Sequence, residues 1–251
     1  MWEFRNFWTL TLDYIHNFPA FDDEERGIIG LYRRPSAENF TATVESDSRQ
    51  PVVAMIHGGY STTAKLANTL YSVLQFTLRP NTWIELTPAF TFVHTRNEEA
   101  WVTSSTAPYY FYTNDGLNLF GDRDIDQQDF SLRGMFTFTR AVSLQFFTQV
   151  FLAKGHYSNF SKLTGEEELP TYAYLASPLY VNPDFNEKVL NANVVFRWEY
   201  LPGSAFYLVW TQERYGNNSA TNRKIFENFF DTFKLPMDNV ILAKISYFWT
   251  L

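Results

Sequence analysis

Side chains in this 251-residue chain alternate between apolar and polar, with a period of two, over most of its length. Between 129 and 140, Phe130, Leu132, Gly134, Phe136 and Phe138 stand at even positions against Ser131, Arg133, Met135, Thr137 and Thr139. Between 190 and 200, Leu190, Ala192, Val194, Phe196, Trp198 and Tyr200 oppose Asn191, Asn193, Val195, Arg197 and Glu199. Near the start, Phe4, Trp8, Leu10 and Leu12 oppose Glu3, Arg5, Thr9, Thr11 and Asp13. Successive side chains of a strand point to opposite faces, so each segment reads as a strand with one apolar and one polar side.

The same pattern predicts about ten strands, at 2–14, 38–46, 51–60, 66–79, 82–95, 129–140, 142–154, 189–200, 204–215 and 239–251. Strands of ~9–14 residues suit a tilted membrane crossing and exceed the ~5–6 usual in soluble sheets. Tight turns carrying Pro, Gly, Asp or Asn fall at 47–50, 79–81, 140–141 and 201–203. Long polar excursions fall at 15–37, 96–128, 155–188 and 216–238. Short turns on one side and long loops on the other is the asymmetry of an outer-membrane barrel. With the short turns in the periplasm, both termini lie there and the number of passes is even.

A soluble sandwich would also alternate, but it would bury its apolar face and use short strands with loops of similar length. Trp2, Tyr14, Tyr60, Trp83, Trp198, Tyr200 and Trp249 lie near strand ends, as aromatic girdles do at the two interfaces of a bilayer. The expected fold is therefore all-β: an antiparallel transmembrane outer-membrane β-barrel, with residues 1–251 as a single domain. No run approaches the ~18 apolar residues of a membrane helix. No signal peptide precedes Trp2, so a mature form or a segment of a longer chain is expected. A net charge of −7 argues against a nucleic-acid partner, and the absence of cysteine excludes disulfides and thiolate metal sites.

Several stretches carry a family likeness. They are NANVVFRWEYLPGSAFYLVWTQ at 191–212, the ordered elements RRP, SDSRQP and GGY within 33–60, LRGMFTFTRAVSLQFFTQVFLAKGHY at 132–157, and the ending DNVILAKISYFWTL. Together they resemble the C-terminal barrel of the family labelled domain of unknown function 5916, with RWEY-x-PGS as the most specific element. The resemblance implies the outer membrane of a Gram-negative bacterium and an upstream family-9-like carbohydrate-binding module. That module and the earlier strands have no counterpart here, so the chain is expected to be the C-terminal part of a larger barrel. The family implies no established activity, and any link to glycan rests on the upstream module.

On the predicted polar side stand Glu3, Arg5, Asp13, Glu45, Glu85, Arg133, Gln145, Gln149, Arg197, Glu199, Glu213 and Lys244. Such a mixed-sign wall fits a hydrated pore or a hydrogen-bonded plug. Asp122, Asp124 and Asp126 alternate with Asp129 close by, but Gln127 and Arg133 stand where a calcium loop needs Gly and Glu; a loop-stabilising divalent ion is the alternative. His16, His57, His94 and His156 are scattered, and no nucleophile elbow, P-loop or HExxH motif occurs. The acidic runs 22–25 and 166–168 read as solvated loop faces, and Tyr109, Tyr110, Tyr112, Tyr172 and Tyr174 as loop packing or sugar-stacking rings.

The leading expectation is a non-enzymatic barrel without cofactor, a channel or membrane anchor in glycan or nutrient uptake. Its partners would be the bilayer, the barrel-assembly machinery and a glycan or small solute. The alternatives are a structural subunit that docks a partner chain and a rim-loop enzyme using His94 or His156. Tyr247, Trp249 and Leu251 alternate at the end of the chain, as an assembly signal does, although Leu stands where Phe is commoner. Removing residues 247–251 should abolish assembly into outer membranes; heat-modifiable migration of membrane-extracted protein is the readout, and unchanged assembly refutes the assignment.

Overall fold

A one-residue slip in a β-ladder moves every side chain of a strand to the other face, so strands with one apolar side each must pair in a single register. The computed structural model describes residues 1–22, 32–102, 119–165, 168–176 and 182–249, and its ladders obey this constraint. The strands are β1 (Trp2–Glu3), β2 (Thr9–Asn17), β3 (Ala20–Asp22), β4 (Tyr32–Arg34), β5 (Ala37–Glu45), β6 (Val52–Thr63), β7 (Asn68–Asn81), β8 (Ile84–Trp101), β9 (Leu119–Thr137), β10 (Val142–Lys162), β11 (Phe185–Leu201), β12 (Ser204–Asn218) and β13 (Asp238–Ser246). A helix, α1 (Ile225–Thr232), lies between the last two strands.

All but β3 and β4 form one 11-stranded sheet in sequence order, every neighbour antiparallel, while β3 and β4 make a separate hairpin. One row of partners reads Phe136, Leu144, Phe196, Leu208 and Ala243. A row on the opposite face reads Arg133, Phe147, Asn193, Thr211 and Val240. The all-β antiparallel architecture is thus as expected, but the sheet is open. β1 with β2 stands at one end and β13 at the other, and no described residue joins them.

Five expected segments differ in the structure. Segment 2–14 is not one strand: Phe7 takes φ 62°, its N–H donates to the Phe4 carbonyl, and the Phe4 N–H donates to the Trp8 carbonyl. The chain therefore doubles back, so that Trp2 pairs with Leu10 and Arg5 falls in the bend. The Arg49 guanidinium lies 3.5 Å from the centre of the Phe7 ring, a cation–π contact that holds the bend against the turn between β5 and β6. The expected loops 96–128 and 155–188 are partly strand, since the β8–β9 ladder runs on to Trp101 and Phe120 and β10 reaches Lys162. Residues polar on both faces there, such as Asp122–Arg123–Asp124, hide the alternation while the backbone still pairs. The excursion 216–238 contains α1, and β13 ends at Ser246, before Tyr247 and Trp249.

The extended strand ends are packed on both sides. Over the polar face, Ala100, Val102, Leu119, Tyr157 and Phe160 are covered by Tyr174, whose ring meets Phe160 edge-on at 5.0 Å. Over the apolar face, Phe120 and Leu163 are covered by Tyr32 of β4. Tyr174 thus packs a loop, whereas Tyr109, Tyr110, Tyr112, Leu251 and most of the two acidic runs lie outside the described residues.

Two glycines keep the sheet faces close. Gly134 lies opposite Phe146, and a Cβ at Gly134 would fall 2.1 Å from the ring. Gly155 bears the Phe185 ring in the same way, at 2.2 Å. In each pair the aromatic ring covers the backbone that glycine leaves bare. Gly134→Ala should cost about 1–3 kcal/mol through overpacking. Phe146→Ala in the same chain should recover part of that loss, a non-additivity measurable by denaturant unfolding in detergent.

Candidate functional site

The polar face of the sheet is a continuous hydrogen-bonded surface built from one parity of every strand. At its middle, Glu85, Thr87, Arg133, Met135, Gln145, Phe147, Asn193 and Val195 line a cleft. Arg133 stacks over Phe147 at 5.0 Å from the ring centre, and Gln149 is bonded to Asp129 across β9 and β10. Towards the short turns, Arg79 pairs with Glu85 at 2.8 Å, and Arg197 with Glu199 at 2.6 Å. Arg197 also donates to the Tyr207 hydroxyl at 3.4 Å, next to Lys244 in the β12–β13 register. His57 bonds Thr43 at 2.8 Å and Tyr71 at 3.2 Å.

Eleven of the expected polar-side residues do share this parity; Glu85, Arg133 and Gln145 converge on the cleft, and Gln149, Arg197 and Glu199 neighbour it. Glu3, Asp13 and Glu45 lie towards the β2 end, and Glu213 and Lys244 towards the β13 end, so they do not join the cleft. Arg5 is the exception, displaced by the bend described above. Arg79, His57, Tyr71, Asp129 and Tyr207 belong to the same surface; their parity alone would have found them.

The opposite face carries an uninterrupted apolar band. It includes Leu10, Leu12 and Tyr14 of β2, Phe40 and Ala42 of β5, and Ile56 of β6. It continues through Leu74 and Phe76, Phe90, Phe130 and Phe136, Phe146, Val194 and Phe196, and Leu208, to Ile241 of β13. Phe40 is 53% exposed, Ile56 54% and Ile241 72%, so protein does not cover these large side chains. Towards the long connections the band stops at a polar line: His16, Glu38, Asn68, His94, Asp126, Lys154, Lys188, Gln212 and Asn239. Trp2, Tyr14, Trp198 and Tyr200 share the apolar parity, whereas Trp83 lies in the turn before β8 and Trp249 beyond β13.

Above the polar line, the aspartates that suggested a metal are engaged by protein donors. Asp122 accepts from Asn159 at 2.8 Å, and Asp124 from the Asn97 backbone N–H at 2.9 Å; both asparagines have positive φ at bulges. Asp126 takes His94 at 2.6 Å and Arg96 at 2.9 Å, with Lys154 at 3.5 Å. No group of three or more metal-binding side chains converges among the described residues. His156 bonds Asp184 at 2.8 Å, so each candidate rim histidine has its own carboxylate, and β9 separates the two.

α1 rests on the apolar face, where Ile225 and Phe229 pack on Phe130, Val150, Leu152, Leu190 and Ala192. Asn186 and Asn228 exchange amide hydrogen bonds at 2.9 and 3.1 Å, both buried. Arg214 donates to the carbonyls of Phe233 and Leu235 at the helix end, at 2.6 and 2.8 Å. Sequence reasoning passed over this helix, although apolar positions 225, 229, 230 and 233 hold a helical spacing.

The family described as Domain of unknown function (DUF5916) matches residues 2–250. The chain belongs to that family. No curated protein and no solved structure matches it. The DUF5916 match spans both faces, the turns and α1.

At the turn between β5 and β6, hydrogen bonds from Arg49 and Gln50 hold the Asp47 carboxyl well below the usual carboxylate range. A depressed native pKa stabilises the fold fully above the unfolded value of about 4, and that contribution falls away as pH drops towards the native value. Unfolding midpoints should therefore decline below about pH 4 in the wild type. Asp47→Asn should flatten that decline, and an equally steep one in the variant excludes Asp47 as its source.

Proposed function

We propose that this chain spans an outer membrane as part of a β-barrel wall, its apolar band against lipid and its polar face on a hydrated lumen, and that it works as a channel. The carrying observation is the band itself, continuous over every long strand of the sheet and bounded by a polar line. From Val142 to Leu152 on β10 the apolar parity covers ten residue steps, or about 33 Å along the strand. At the usual barrel tilt of roughly 40° this is close to the ~25 Å apolar belt of such proteins. The half-exposed Phe, Ile and Leu form a patch far larger than soluble monomers carry.

The polar face supports the lumen reading. Its ion pairs and hydrogen bonds run between neighbours in the wall, which leaves the cleft around Arg133 accessible to water and solutes. The sheet's two ends offer unpaired N–H and C=O groups, which hydrocarbon does not tolerate. The reading therefore requires both ends to be paired, with each other or with further strands of the larger barrel expected from the resemblance. Conductance across planar bilayers tests the channel: ion flow altered by Arg133→Glu supports it, and a silent but inserted protein leaves a membrane anchor.

Val194→Arg, opposite Phe146 near the middle of the band, should cost roughly 2–4 kcal/mol and Phe136→Arg, nearer the short turns, less, while Thr137→Arg on the polar face should be mild. Unfolding from liposomes measures both. If Thr137→Arg is the more damaging, the faces are assigned the wrong way round.

A further inference from the structure

α1 carries large apolar side chains on both sides, where a helix packed on a protein in water is apolar on the packed side alone. The side facing the sheet contains Asn228 and Thr232, 4% and 0% exposed, together with Ile225 and Phe229. The side facing away carries Phe226 and Phe230, 69% and 62% exposed, with Phe233 just beyond at 48%. A helix bordered by water would present its polar residues outward and its phenylalanines inward. The buried polar groups are satisfied in place, Asn228 by Asn186 and the Thr232 hydroxyl by the Asn228 carbonyl at 2.8 Å. The orientation is therefore built, and it directs an aromatic stripe into the surroundings at the level of the polar line.

Two grooves flank the helix. One is almost wholly apolar, between Leu74, Phe76, Phe90 and Leu132 of the band and Phe229 and Phe233. The other, at the start of the helix, has Phe92, Leu152 and Phe226 on its apolar side and three cations, Lys154, Arg223 and Lys224, with one carboxylate, Asp126, on its polar side. These cations are loosely held. Arg223 stands 3.7 Å from both Glu227 and Asp231, Lys154 stands 3.5 Å from Asp126, and Asp126 has closer partners in His94 and Arg96. No ion pair involves Lys224 among the described residues. The second groove lies where the apolar band gives way to charge, and the first continues the band alongside the helix, so a ligand that fills the second needs an apolar chain and an anionic head.

We propose that α1 and its flanking grooves form a binding site for an anionic membrane lipid: the phosphate head lies on Lys154, Arg223 and Lys224, the chain runs along Phe92, Leu152 and Phe226, and the outward phenylalanines enter the same leaflet. The site rests on the membrane reading, because only there is the apolar band bathed in lipid. α1 then acts as a clamp at the membrane boundary, fixing the connection between β12 and β13 at one depth. A basic residue near an anionic lipid surface contributes about a fivefold preference.

Native mass spectrometry of the full chain, released from micelles with equal phosphatidylglycerol and phosphatidylcholine of matched chains, tests the site. The wild type should retain phosphatidylglycerol about tenfold or more over phosphatidylcholine. Lys154→Gln, Arg223→Gln and Lys224→Gln together should bring the ratio near one, and exposed Arg223→Gln alone should lower it severalfold. Phe226→Ser with Phe230→Ser should reduce retention of both lipids. Equal retention by the wild type, or an unchanged ratio in the triple variant, overturns the proposal. So does loss of the preference in inorganic phosphate, which would mark a site for free anions. Tryptophan quenching by brominated-chain phosphatidylcholine is read on the same wild-type sample. Quenching without lipid preference removes only the α1 site, whereas absence of quenching removes the membrane reading on which it rests.

Discussion

Backbone pairing in a single register is the constraint from which the rest of this molecule follows. Each long strand brings one apolar and one polar side, and the antiparallel ladder joins them only where the parities agree. Phe136, Leu144 and Phe196 then stand in one row and Arg133, Phe147 and Asn193 in another. Slipping any strand by one residue would place Arg197 or Arg133 among the phenylalanines, where an unpaired charge costs several kcal/mol (about 2–4 in the middle of a bilayer). Register, faces and the cleft are thus one decision.

That decision leaves an apolar face which the sheet cannot cover by itself. At the long-connection end the protein covers it locally, with Tyr32 over Phe120 and with α1 over Val150, Leu152 and Leu190. Elsewhere the band stays bare, and lipid is the covering that the proposed function supplies. The polar line from His16 to Asn239 is the level where one kind of covering gives way to the other. Above it, charged side chains pair across strands, as Asp126 does with Arg96 and His94; below it they are missing from the apolar face.

Much of the molecule was legible beforehand, because alternation is a local property that pairing preserves. Strands β5 to β12 fall within a few residues of expectation over their amphipathic parts, and so do the short turns. Eleven of the twelve residues read as polar-side share one parity in the ladders, and Arg5 falls in the bend. Where the sequence is polar on both faces, as at 122–129, the strand was invisible, since nothing in an isolated stretch distinguishes a solvated strand from a loop. At the bend the alternation does break, with Asn6 on the apolar parity and Phe7 on the polar one. One such break inside an amphipathic run does not reveal that the chain doubles back, and the Arg49 guanidinium that lies on the Phe7 ring comes from another turn.

By itself the sequence determined the all-β class and which residues of each strand share a face, because these depend on the side-chain period of two and on turn chemistry within a few residues. The tertiary structure decided what depends on distant partners. It engaged Asp122 and Asp124 with Asn159 and Asn97 at bulges, gave His94 and His156 a carboxylate each, and set α1 on the sheet with Phe226 and Phe230 outward. It also left the two ends of the sheet apart. The docking of the helix through the reciprocal Asn186–Asn228 amides rests on contacts 42 residues apart in sequence, beyond the reach of any local pattern.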